Sequence, residues 1–151
     1  MSVDFKLEGF DEVKSKLDRL SNPKKVTTFA RKAARRAMNI VRDAARTNAK
    51  AIDDPESAEK IWKNIAVSAG KSRNSNEIIM RVGVRGGASF SNKVPPKLSG
   101  GDTRHWRFIE FPTLGSMGVP FMRTAFNSNI QNVTNKFADV FNTELDKELA
   151  L

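Results

Sequence analysis

The chain has 151 residues, enough for one domain with a modest core. It has no cysteine, which excludes a disulfide framework, a thiolate metal site and a thiol nucleophile. Its 26 Lys and Arg against 17 Asp and Glu leave a formal charge of +9, which favours polyanions or acidic surfaces as partners but does not bear on the fold.

No apolar run approaches a membrane span. The N-terminus has no charged segment followed by an apolar one, so synthesis is expected in the cytoplasm without export. Residues 1–22 read as a short strand and a short helix. Val3, Phe5 and Leu7 alternate with polar residues up to Gly9, and Phe10, Val13, Leu17 and Leu20 then recur at helical spacing. Ser21-Asn22-Pro23 ends that helix and starts the next.

The second helix is predicted from Pro23 to Ala51, roughly 40 Å long at 1.5 Å per residue. Its apolar stripe is Val26, Ala30, Ala33, Ala37, Ile40 and Ala44, widened by Phe29, Val41 and Ala45. Alanine permits close approach but buries little area, so Phe29, Ile40 and Val41 must carry most of the packing. The other side holds Arg31, Lys32, Arg35, Arg36, Arg42, Arg46 and Lys50, with Asp43 as its one acid. Such a run reads either as a solvated face of strong helix formers or as a surface for nucleic acid or an acidic subunit. A merely solvated helix tends to mix charge signs for pairing four residues apart, and this one does not.

Asp53-Asp54-Pro55-Glu56 closes the long helix, and a short helix is expected from Ser57 to Asn64 with Trp62 as its anchor. Ile65, Val67 and Ala69 then alternate as a strand. Ile78, Met80, Val82 and Val84 alternate as a second, predicting an antiparallel hairpin over the long helix. Residues 86–103 show no period. They are punctuated by Gly86, Gly87, Pro95, Pro96, Gly100 and Gly101 and carry Lys93 and Lys97, so a long mobile loop that orders on assembly is expected.

Residues 104–126 hold one of the two tryptophans, four phenylalanines and two methionines, and read as a packing hub. Trp106 and Phe108 share a face if its first part is a strand; Trp106 and Ile109 share one if it is a helix. Pro120 stands where a proline opens a helix. Phe126, Ile130, Val133, Phe137, Val140 or Phe141, and Leu145 predict a C-terminal helix over 120–149. That helix turns acidic late, at Asp139, Glu144, Asp146 and Glu148, which makes it a candidate partner for the arginines of a neighbouring subunit.

Catalytic chemistry is not legible. His105 has no second histidine to share a metal. The run Gly83 to Gly87 lacks the Gly-Lys-Ser/Thr ending of a phosphate loop. Glu110, between Ile109 and Phe111, reads as one half of a structural ion pair with Arg123 or Arg107. No metal or cofactor is expected.

Phe108-Ile109-Glu110-Phe111-x-Thr113, a glycine-rich spacer, then Pro120-Phe121-Met122-Arg123-x-Ala125-Phe126 resembles the head–tail joining family of lambda-like siphophages, the neck, tail-completion or minor tail-component proteins. Leu7-Glu8-Gly9-Phe10-Asp11-Glu12 before a long Ala/Arg helix, and Val82-Gly83-Val84 at a strand end, fit the same layout. Pro112 stands where the family has glycine and Thr124 where it has proline. The resemblance implies a single α+β domain over 1–151 that is a structural virion protein and not an enzyme. It implies an oligomeric ring, a hexamer, at the head–tail junction or the head-proximal end of the tail. Its partners would be its own copies, the tail tube protein, the head connector or head-closure protein or the tail terminator, and transiently the DNA in the lumen. The other reading is a basic nucleic-acid-binding module, which lacks a recognisable motif. The residues expected to face partners are Arg31, Arg35, Arg42, Arg46, Lys93 and Lys97. Those expected to build the structural motif are Trp106, Phe108, Glu110, Phe111, Pro120, Phe121 and Arg123.

Overall fold

A computed structural model of the chain describes residues 10–20, 22–74 and 77–150, with side chains from Lys14 onward. The strand expected through Val3, Phe5 and Leu7 lies outside the described residues. In chain order the elements are α1 (Phe10–Asp18), α2 (Pro23–Ala51), α3 (Ile61–Asn64), β1 (Ile65–Ala69), β2 (Met80–Val84), α4 (Trp106–Glu110), α5 (Phe121–Asn127) and α6 (Ile130–Leu149). The fold is α+β, as expected: helices around a small antiparallel sheet, in register Ile65↔Val84 to Ala69↔Met80.

Helix α2 starts where its sequence says. The Asn22 side chain accepts from the Lys24 N–H at 3.0 Å, and Pro23 occupies the first turn, where a missing donor costs nothing. Its buried positions are Ala33, Ala37, Val41, Ala45 and Ala49, in steps of four. At 3.6 residues per turn, each such step rotates the buried line by about 40°. The line therefore winds around the helix and meets two sets of neighbours. Ala33 packs with Val140, Phe141 and Leu145 of α6. From Ala37 to Ala49 the neighbours are Val133 at the start of α6, Phe121 and Ala125 of α5, and Ile65 and Val84 of the sheet. Helix α6 thus runs antiparallel along α2, and the sheet lies beside α2 from Arg46, at Ile65, back towards Arg35, at the free end of the hairpin. The alanines let these partners approach closely, while Ile40 and Phe29, expected to dominate the packing, sit half-buried at the rim.

Three elements are shorter than expected. Helix α3 spans only Ile61–Asn64, because Ser57 and Asp54 hold the preceding residues in turns: the Ser57 Oγ accepts from the Glu59 N–H, and an Asp54 carboxyl oxygen accepts from the Glu56 N–H. Trp62 is half-buried there, with the Lys50 Nζ 4.4 Å from its ring centre. Strand β2 begins at Met80 rather than Ile78, although the Gly70 N–H still donates to the Ile79 carbonyl. The helix expected over 120–149 is two helices. Asn129 breaks it with φ −121° and ψ 11°, and its amide returns to the Ala125 carbonyl at 2.8 Å. Among the described residues, no helix is long and apolar enough to cross a membrane.

Candidate interaction site

The segment 104–126 folds as α4, a tight turn and α5, which settles the ambiguity of its first part in favour of a helix. Trp106 and Ile109 accordingly share the face that packs on the core. Glu110 ends α4 with its side chain 1% exposed and closes the gap to α5. Its two carboxylate oxygens accept from the Met122 N–H at 2.8 Å and the Arg123 N–H at 2.9 Å. These are two of the donors that the first turn of α5 leaves without a helical partner. The Arg123 Nε adds a third bond at 3.1 Å, and its Nη2 reaches the Glu110 carbonyl at 2.8 Å. The guanidinium also lies over the Phe111 ring, 4.6 Å from its centre. Arg123 is therefore the partner of Glu110. The geometry goes beyond an ion pair: the acid is a helix cap supplied from another element. Pro120 stands just outside α5, in the cap position, and Phe121 is buried beside α2.

The rest of the segment is not a hub. Between α4 and α5, Thr113 and Ser116 pair across a tight turn, and the Val119 N–H donates to the Ile109 carbonyl. Gly118 has φ +77°, and a Cβ there would stand 2.8 Å from the Phe111 carbonyl carbon, so the two legs touch as only glycine permits. Leu114 and Met117 project fully into solvent, and Phe108, Phe111 and Val119 are 60, 42 and 47% exposed.

The end of the 86–103 loop is clamped. Asn64, 1% exposed, donates to the Gly101 carbonyl at 3.1 Å and the Thr103 Oγ1 at 2.7 Å, and accepts from the Gly100 N–H at 2.9 Å. The Gly100 carbonyl accepts from the Lys60 N–H at 2.7 Å. Asp102 and Arg104 form a two-pronged pair, at 2.9 Å for each prong, and the Arg104 Nη1 holds the Asn92 carbonyl at 2.6 Å. The Arg104 hydrogen bond pulls the Asp102 carboxyl from its ordinary 3.8 down to about 2. Asn64, Gly100 and Thr103 did not stand out in the sequence, because an asparagine that holds a loop 36 residues away has no local signature. Lys93 and Lys97, in the middle of the loop, are exposed.

The arginine line of α2 borders the sheet. Arg46 is half-buried and donates to the Ile65 carbonyl from both Nε, at 3.0 Å, and Nη2, at 2.7 Å, so it holds the start of β1 rather than facing a partner. Arg42 pairs with Asp43. Arg31 and Arg35 are exposed at the far end of the hairpin, where with Lys32 they form one wall of a cleft of about 590 Å³. Ala69, Ile78, Ile79 and Met80 line its other side.

Three of the acids of α6 are engaged within the chain. Lys16 pairs with Asp146 at 2.7 Å, Lys25 with Glu148, and Lys32 with Glu144 at 2.7 Å. The Lys32 hydrogen bond holds the Glu144 carboxyl below its usual range. The expected match of these acids to a neighbour's arginines is thus corrected for Glu144, Asp146 and Glu148, since α6 packs beside α1 and α2 and lysines of both helices, not arginines, reach them within the chain. His105 precedes α4, and no group of residues that could hold a metal occurs among the described residues.

The described titratable groups that are buried serve caps, clamps and pairs, while bulky apolar residues and the arginines at the open end of the hairpin, Arg31 and Arg35 among them, face outward. That is the chemistry of a structural subunit. The chain belongs to the HK97-gp10-like family: the family's model, described as "Bacteriophage HK97-gp10, putative tail-component", matches residues 11–111. The match runs from α1 through Phe111 and stops before the Pro120–Phe126 half of the motif. No curated protein and no solved structure matches the chain. The protein is a structural component of the phage tail and hence of the virion.

Proposed function

We propose that the chain is the subunit of a homo-oligomeric ring, a hexamer, at the head–tail junction or the head-proximal end of the tail. The ring joins the tail tube to the head connector, contacts head-closure or tail-terminator proteins, and leaves a lumen for DNA. The observation that carries this reading is the uneven use of basic charge. Lys16, Lys25 and Lys32 are matched by acids of α6, whereas Arg31, Arg35 and Arg36 have no acidic partner among the described residues. A dense arginine lining would hold DNA back during ejection, since each neutralised phosphate adds to a salt-dependent affinity. Arg31 and Arg35 are therefore assigned to protein partners, as are the exposed Lys93 and Lys97 of the loop and Arg42 beyond its local pair with Asp43.

Electron microscopy of the purified protein tests the ring, and a particle without rotational symmetry overturns it. The same unmatched arginines favour one other reading, a nucleic-acid-binding module. DNA titrations decide between the two. A tail subunit binds duplex DNA weakly and without preference, whereas a binding module shows a steep fall of log K with log salt.

A further inference from the structure

We propose that the turn from Phe111 to Val119 is a tongue that seats in the cleft between α2 and the hairpin of a second copy of this chain. The proposal rests on the ring reading and names the contact that would build it. Phe111, Leu114, Met117 and Val119, with Phe108 just before them in α4, together expose on the order of 600 Å², the upper end of what a lone soluble protein ordinarily leaves in its largest apolar patch. A standard interface buries about 800 Å² per partner, so burying the tongue and Phe108 would supply most of one side. It is also preorganised. The Thr113–Ser116 pairing, Pro112 and the close approach at Gly118 hold its shape, so little order is lost on docking.

The tongue's complement lies on the chain itself, which points to a second copy. Each chain carries +9, so copies repel wherever their basic faces meet, and no residue from Phe111 to Val119 is charged. The cleft offers the complement: an aliphatic floor of Ala69, Ile78 and Met80 for Leu114 and Met117. Its wall carries Arg31 and Arg35, free to donate to the Leu114 and Gly115 carbonyls, which accept no hydrogen bond among the described residues. Tongue and cleft cannot meet within one chain. The tongue leaves the body next to Phe121, whose carbonyl is held by Asn48 of α2, and Asn48 lies roughly 20 Å along α2 from Arg35. A convex tongue entering a cleft elsewhere on the surface is a head-to-tail contact, and repetition of such a contact closes a ring or grows a filament.

The test uses the double variant Leu114→Ser/Met117→Ser and two single-cysteine chains, Leu114→Cys and Ile78→Cys, in a protein with no cysteine of its own. The exposed double variant should melt as the wild type does, yet need at least tenfold higher concentration for half-assembly by sedimentation. A short thiol crosslinker should join Leu114→Cys to Ile78→Cys in a mixture, and neither chain to itself. Normal assembly of the double variant, or crosslinking of Leu114→Cys only to itself, overturns the tongue contact and leaves the ring standing. A wild-type protein that stays monomeric at every concentration overturns both.

Discussion

Glu110 offers the sharpest test of the packing logic. Its side chain is 1% exposed and receives two backbone N–H groups of α5 and one guanidinium N–H. In Glu110→Gln one oxygen can still accept, but the amide NH₂ faces a donor and leaves a buried N–H without a partner. That orphan and the lost charge assistance cost about 2–3 kcal/mol. Glu110→Ala leaves both N–H groups unpaired and opens a cavity, and should cost about 3–5 kcal/mol. Arg123→Met should cost only about 1 kcal/mol, because the guanidinium is 40% exposed and water screens it. The two sites should therefore be unequal, and a double-mutant cycle should return a coupling of about 1 kcal/mol. At this chain length each kcal/mol shifts Tm by roughly 2–4 °C, so thermal melts resolve the series. Equal losses at Glu110 and Arg123, with coupling as large as either, would show that the ion pair rather than the helix cap dominates. A Glu110→Gln protein that melts as the wild type does would refute the cap outright.

Two further outcomes concern the loop clamp. Gly100→Ala would place a Cβ 2.2 Å from the Lys60 carbonyl oxygen and 2.6 Å from the Asn64 Oδ1. It should destabilise the protein by roughly 1–3 kcal/mol and speed limited proteolysis between Gly87 and Leu98; unchanged cutting would count against the clamp. The Asp102 pKa lies lower in the folded chain than in the unfolded one, so its pairing with Arg104 contributes stability above about pH 4, and the contribution fades as pH falls through about 2. The Tm difference between wild type and Asp102→Asn should accordingly be constant above that range and shrink towards pH 2. A difference that does not vary with pH would mean the carboxylate is not engaged.

Local periodicity determined much of this protein. The bounds of α2 at Pro23 and Ala51, the strand Ile65–Ala69, the opening of the C-terminal segment beside Pro120 and the α+β class follow from apolar spacing, an asparagine cap and prolines, which act over a turn or two of chain. That Glu110 pairs with a nearby arginine was also legible, since a lone acid in an apolar setting needs a cation, but only the turn between α4 and α5 chose Arg123 over Arg107. Tertiary structure decided what those elements face. A helix with apolar residues at steps of three and four cannot say whether its buried line follows one partner or winds between two, and α2 winds from α6 to the sheet. Equally spaced arginines look alike in sequence. Packing separates them, because the hairpin lies along their flank: Arg46 is drawn onto the Ile65 carbonyl, while Arg31 and Arg35 are left at its open end. Nor can composition tell a core from a tongue. Phe121 and Leu114 stand in the same apolar stretch, and they part only because one follows the turn onto α2 while the other is carried by it into solvent.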